Sequence, residues 1–152
     1  MVRELFDSLL DELGGVLEIP DLHPDRNNSC LINYPDGYQV QIEMDPSGQA
    51  IIIGSDLGVV PVGRYRENLF KEALKANGMP GPLHGILAFS TKTEHLILFE
   101  RIPTLHLTGD RMADALGPFN EKAQFWKEAL TKGETPIIGT MHTSGGMFGL
   151  RP

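Results

Sequence analysis

Apolar residues in the first seventeen positions recur every three or four places: Leu5, Phe6, Leu9, Leu10, Leu13, Val16 and Leu17, with Glu4, Asp7, Ser8, Asp11 and Glu12 between them. A helical turn collects such residues on one side, so the spacing predicts an amphipathic helix. Gly14-Gly15 is a stop signal near its end, and Pro20 and Pro24 flank a polar loop over residues 21–29. The period then changes to two. Tyr38, Val40, Ile42 and Met44 alternate with Gln39, Gln41 and Glu43, as in a strand with one dry face. Pro35-Asp36-Gly37 turns the chain back from a preceding strand over residues 30–34, and Asp45-Pro46-Ser47-Gly48 leads into a third strand over 49–54. After an apolar loop at 57–62, Leu69, Phe70, Ala73 and Leu74 share one side of a second helix that stops at Asn77-Gly78.

Two further strands are expected at 84–90 and 95–102. Ile86-Leu87-Ala88-Phe89 and Leu96-Ile97-Leu98-Phe99 are apolar without alternation, so both faces of this hairpin need a cover. Three helices are too few to supply it, and a second copy of the chain is the simplest additional cover. A last helix spans 109–131, with Met112, Leu116, Phe119, Ala123, Trp126 and Leu130 in its stripe and Gly117-Pro118 expected to kink or split it. The order α-β-β-β-α-β-β-α defines an α+β fold with antiparallel strands. It is expected to occupy residues 1–133 as one domain, followed by a glycine-rich, loosely ordered tail at 134–152.

Composition narrows the function. With 152 residues, 41% hydrophobic and 22% charged, the chain is sized for one packed core and is not a disordered segment. A net charge of −7 with no basic patch argues against nucleic acid and anionic membranes as partners. Apolar runs are too short to span a bilayer, and Arg3, Glu4 and Asp7 interrupt the place of a secretory signal, which favours the cytoplasm. One cysteine, Cys30, permits no internal disulfide and suits a reducing compartment.

Catalytic and metal chemistry finds little support. His23, His84, His95, His106 and His142 form no pair at helical ligand spacing, Cys30 has no basic neighbour on its face of the strand, and no phosphate-cradling glycine pattern occurs. The carboxylates of the first and last helices read as solvated faces, so no cofactor, metal or catalytic residue is expected. What the pattern leaves over is apolar surface beyond the needs of one core, and such surface binds polypeptide. An extended chain adds hydrogen bonds at a strand edge and places alternate side chains in grooves.

The chain resembles the class I type III secretion chaperones of the Tir-chaperone (CesT-like) family over residues 2–131. The likeness lies in the Leu5-Phe6 to Leu13-Gly14 helix followed by Leu17, the three strands from Cys30 to Ile53, the Asn68-Leu69-Phe70 to Ala73-Leu74 helix, and the closing Phe119, Ala123, Phe125 and Trp126. The resemblance implies a homodimer that binds the amino-terminal chaperone-binding region of secreted effector proteins and keeps it secretion-competent without ATP. It further implies a dimer interface at Leu69, Phe70, Ala73, Leu74, Leu87 and Phe89. Effector contacts are implied at Leu5, Leu9, Leu13, Val40, Ile42, Ile52, Leu96 and Leu98. Two other readings stay open on the residues alone: a non-secretory adaptor using the same dimer, and a small enzyme with a site assembled around His84, His95 and Glu100.

Overall fold

The computed structural model describes residues 2–139. It contains α1 (Val2–Leu17), β1 (Ser29–Asn33), β2 (Gln39–Met44), β3 (Ala50–Val59), α2 (Arg64–Asn77), β4 (Ile86–Ser90), β5 (His95–Pro103) and α3 (Gly109–Lys132). The expected order holds. The strands form one antiparallel sheet in the order β1-β2-β3-β5-β4, so the second hairpin joins the meander through β5 and leaves β4 at the edge. β3 runs further than its apolar pattern suggests, absorbing part of the loop expected at 57–62. A bulge between Asp56 and Gly58, where the Gly58 amide donates to Asp56 Oδ1, lets the strand continue while Leu57 turns into the core.

All three helices pack on one face of this sheet. Ile32, Val40, Ile42, Ile51, Ile53, Leu96 and Leu98 point into that layer and meet Phe6, Leu10 and Leu13 of α1, Leu69 of α2, and Leu116, Phe119 and Trp126 of α3. Burying each such side chain contributes roughly 1.5–3 kcal/mol, so this layer dominates the stability. The α1–α3 crossing is close because Gly109 has no side chain: a Cβ there would lie 2.6 Å from the backbone of Glu12. Glu12 Oε1 in turn accepts the Gly109 amide at 2.9 Å, satisfying one of the unpaired donors at the start of α3.

The expected break at Gly117-Pro118 does not occur, and α3 is one helix of 24 residues. Met112 and Leu116 are buried before the proline and Phe119, Ala123 and Trp126 after it. Anchoring on both sides offsets the roughly 3 kcal/mol that an interior proline costs. Thr108 caps the amino end by accepting from the Arg111 amide, and left-handed Gly133 ends the helix.

The chain beyond Gly133 begins as a strap and not as a loose tail. Tyr65 Oη donates to the Glu134 carbonyl at 2.9 Å, Pro136 is buried, and the Ile138 amide donates to Glu72 Oε1 at 2.8 Å. The rest of the expected tail, residues 140–152, lies outside the described residues.

Candidate protein-binding surfaces

Burial divides the residues assigned to a client from those that can meet one. Leu9, Leu13, Val40, Ile42, Leu96 and Leu98 are between 0% and 3% exposed, all in the core between helices and sheet. Their assignment to an effector surface is corrected: a periodic apolar stripe reports burial, and here α1 and α3 supply the cover. Leu5, 41% exposed, and the half-buried Ile52 are the members of that set with surface to offer.

Ile52 belongs to the opposite face of the sheet. Successive residues point to opposite sides, so Leu31, Gln41, Glu43, Ile52, Gly54, Asp56, Ile97 and Phe99 line the face that no described helix covers. Gly54, which pairs with Phe99 in register, leaves a shallow groove of about 290 Å³ between Leu31, Ile52, Ile97 and Phe99. Glu43 and Asp56 are the acidic residues of its lining and Lys127 of α3 the basic one, with Asp56 also meeting His95 Nδ1 at 2.7 Å. Leu31, Ile97 and Phe99 are not in the effector set that the resemblance implies. The signal for them was the lack of alternation in β5 and the Leu31 position between buried Cys30 and Ile32.

A second apolar groove of about 190 Å³ lies between α2 and the edge strand β4, lined by Phe70, Ala73, Leu74, Asn77, Leu87 and Phe89. Phe70 and Phe89 meet edge to face at 4.9 Å, and the Arg66 guanidinium stands 4.9 Å from the Phe89 ring centre. Among the interface residues implied by the resemblance, Leu69, Ala73 and Leu87 are buried within the protomer. Leu69, at 0% exposure, has no surface for a partner, and its assignment is corrected to core. Leu74 is 72% exposed, and Phe70 and Phe89 are half-buried.

The two sheet edges differ. On β1 the Tyr34 amide donates to Tyr38, and antiparallel alternation then turns the backbone groups of Ser29, Leu31 and Asn33 outward. Ser29 is occupied, its amide by Asp25 Oδ1 and its carbonyl by the Asp25 amide. Leu31 and Asn33 remain available for an added strand.

Of the three residues considered for an assembled enzyme site, two come near each other. Glu100 faces the helices opposite Ile53, with His84 and Lys122 close enough to interact electrostatically. His95 is on the other face, its Nδ1 at 2.7 Å from Asp56 Oδ1. Burial pushes the Glu100 carboxyl above its ordinary range, opposed by His84 and Lys122, and burial lowers the Lys122 ammonium. Lys122 Nζ donates to the carbonyls of Leu83 and Gly85, which ties α3 to the start of β4. Cys30 is buried, and desolvation raises its thiol further from the thiolate form. Among the described residues no group of His, Cys, Asp or Glu is arranged to hold a metal ion, and no helix is long and apolar enough to cross a membrane.

Three helices on one face of a five-stranded antiparallel sheet is a fold this chain shares with solved chaperone–effector complexes. A chain of the HopA1–SchA chaperone–effector complex superposes with a TM-score of 0.68 at 18% identity, covering 84% of this chain and 96% of that one. A chain of the ExsC–ExsE complex gives 0.63 at 17%, covering 84% and 95%. The Yersinia pestis type III secretion chaperone SycH in complex with a fragment of YscM2 gives 0.62 at 14%, covering 80% and 98%. No curated protein matches the chain in sequence. The model of the Tir chaperone protein (CesT) family matches residues 8–127, and the chain belongs to that family.

Proposed function

We propose that this protein is a type III secretion chaperone that binds, as a homodimer and without ATP, the amino-terminal chaperone-binding region of one or more secreted effectors. The observation that carries the reading is the uncovered sheet face, where Leu31, Ile52, Ile97 and Phe99 surround Gly54 beside a strand edge with two available backbone positions. An extended polypeptide fits both features, placing alternate side chains in the groove or adding hydrogen bonds along β1. Such a client loses conformational entropy on binding and recovers it on release, so contact area can be large while affinity stays moderate. Glu43 and Asp56, beside Lys127, favour a client that carries both a basic and an acidic residue near its apolar ones. A second copy packs over the α2–β4 groove, where exposed Leu74 lies beside Phe70 and Phe89.

Co-expression with amino-terminal segments of proteins secreted by the native cell tests this reading. Light scattering is expected to show two copies with a client, and Phe99→Asp is expected to lose the client while keeping the dimer. Leu74→Glu is expected to give a folded monomer. A folded protein that gains no mass with any such segment overturns the chaperone reading. If capture from native cells followed by mass spectrometry returns only partners that are never secreted, the adaptor takes its place.

A further inference from the structure

The last residue of α2, Asn77, makes two hydrogen bonds to one residue of the edge strand β4. Its Nδ2 donates to the Leu87 carbonyl at 2.9 Å, and its Oδ1 accepts the Leu87 amide at 2.9 Å. A carboxamide offers one donor and one acceptor side by side, the same pair that a neighbouring strand would present. Because both Leu87 groups go to Asn77, Leu87 is a position whose backbone points away from β5, and alternation makes Gly85 and Phe89 the outward positions on either side. The Gly85 carbonyl is held by Lys122 Nζ at 2.8 Å. Within β4, Leu87 is therefore taken by a side chain of α2, the carbonyl just before the strand is held by one of α3, and Phe89 is the outward position left open. The opposite edge keeps Leu31 and Asn33 open on β1.

Strand edges recruit other strands unless they are blocked. The hazard is acute here because β4 adjoins the apolar α2–β4 groove, so apolar surface lies directly beside the edge. We propose that Asn77 is a plug on the β4 edge that prevents β4 from pairing with β4 of a second copy. Sheet extension is thereby confined to β1, and copies that meet at α2–β4 do so through side chains. That last consequence rests on the homodimer reading, whereas the plug itself does not.

Asn77→Ala, compared with the full-length wild type, provides the test. At low micromolar concentration the Leu87 amide is expected to exchange about tenfold faster, since it loses its acceptor. As concentration rises to sub-millimolar, light scattering is expected to show mass growing beyond the wild-type state, with the Leu87 amide becoming protected again inside the assembly. Adding Ala88→Lys, which places a charge on the outer side of the same strand, is expected to return the mass to the wild-type value. The proposal is overturned if Asn77→Ala has wild-type near-ultraviolet circular dichroism and wild-type mass throughout, or if its larger assemblies persist with Ala88→Lys. Should Asn77→Ala not fold, Asn77→Asp decides: it still accepts from the Leu87 amide but cannot donate to the carbonyl, so a smaller growth in mass supports the plug and none overturns it. A wild type that is monomeric would remove the homodimer reading and leave this comparison intact, because each variant is measured against it.

Discussion

Two glycines of the same helix predict unequal outcomes for the same substitution. Gly109 opens α3 against α1, and a Cβ on it would stand 2.6 Å from Glu12 C and Cβ and 2.8 Å from the Leu13 amide nitrogen. Real Cβ atoms do not approach backbone that closely, so Gly109→Ala must push the amino end of α3 off α1. Overpacking of this kind costs about 1–3 kcal/mol, and strain on the Gly109–Glu12 hydrogen bond adds about 0.5–1.5 kcal/mol. The gain in helix propensity is small at the first helical position, so a net loss of about 2–4 kcal/mol is expected. Gly117, one residue before Pro118, is exposed, and a Cβ there would meet nothing within 4 Å beyond its chain neighbours and its own helix backbone. Gly117→Ala gains about 0.5–1 kcal/mol in helix propensity, but the Pro118 ring crowds a Cβ on the residue before it in the helical conformation, so a net change within about 1 kcal/mol of wild type is expected. Urea unfolding followed by circular dichroism measures both, with the slope of the transition checked for equality. For a domain of this size the midpoint temperature should fall by roughly 5–15 °C in the first variant and move by no more than a few degrees in the second. A Gly109→Ala protein within about 0.5 kcal/mol of wild type would refute the reasoning, since it would mean the crossing relaxes without loss.

Other consequences follow from burial and charge. Leu9→Ala empties a core position and should cost about 2–5 kcal/mol, whereas exposed Leu5→Ala should leave the unfolding midpoint within about 0.5 kcal/mol of wild type, as chemical denaturation will show. The Ile138 amide, then the Lys75 ammonium, hold the Glu72 carboxyl below its ordinary range, so this contribution is present above the unfolded-state value and disappears as pH falls through the folded one. Glu72→Gln should flatten the acid limb of the stability curve and speed exchange of the Ile138 amide; an unchanged curve would remove the strap from the acid response. Glu100 has the opposite sign: burial raises its carboxyl, so its contribution is complete below the unfolded-state value and is lost as pH rises through the folded one. Glu100→Gln should therefore be less destabilised than wild type on going from mildly acidic to neutral pH, and equal slopes in thermal melts across that range would contradict the assignment.

The period of the sequence carried most of the architecture, because the two periods that matter, 3.6 and 2, are both fixed by backbone geometry. Alternation in β2 was legible since one of its faces is wet: Gln39, Gln41 and Glu43 are exposed and Val40, Ile42 and Met44 buried. Sheet order was not, because the hairpin β4–β5 is apolar on both sides and its pattern does not say which strand joins β3. The continuity of α3 through Pro118 was hidden for a different reason. Local propensity at Gly117-Pro118 opposes the helix, and only the tertiary anchors Leu116 and Phe119 beside it reverse the balance.

The binding surface was the hardest feature to read, and the cause is physical. An apolar residue in an amphipathic element has the same signature whether its cover comes from the same chain or from another, so Leu9, Val40 and Leu98 look no different from Leu31, Ile52 and Phe99 until the helices are placed. With three helices on one side, the parity of each strand assigns its residues at once: even positions in β1 and β2 face the core, odd positions face outward. The inference from sequence that some apolar area is left over survives that assignment, but its location moves. The surplus lies on the odd residues of β5, on Leu31 and Ile52, and on Leu74 of α2, while the stripe of α1 is largely consumed by the core. A client that relied on α1 alone would find little beyond Leu5 and Val16, so variants on the uncovered sheet face should weaken client binding more than variants on α1 of equal apolar area. Competition titrations of Phe99→Asp and Leu5→Asp with one client segment compare the two surfaces directly, and a stronger effect at Leu5 would return the client to the helix.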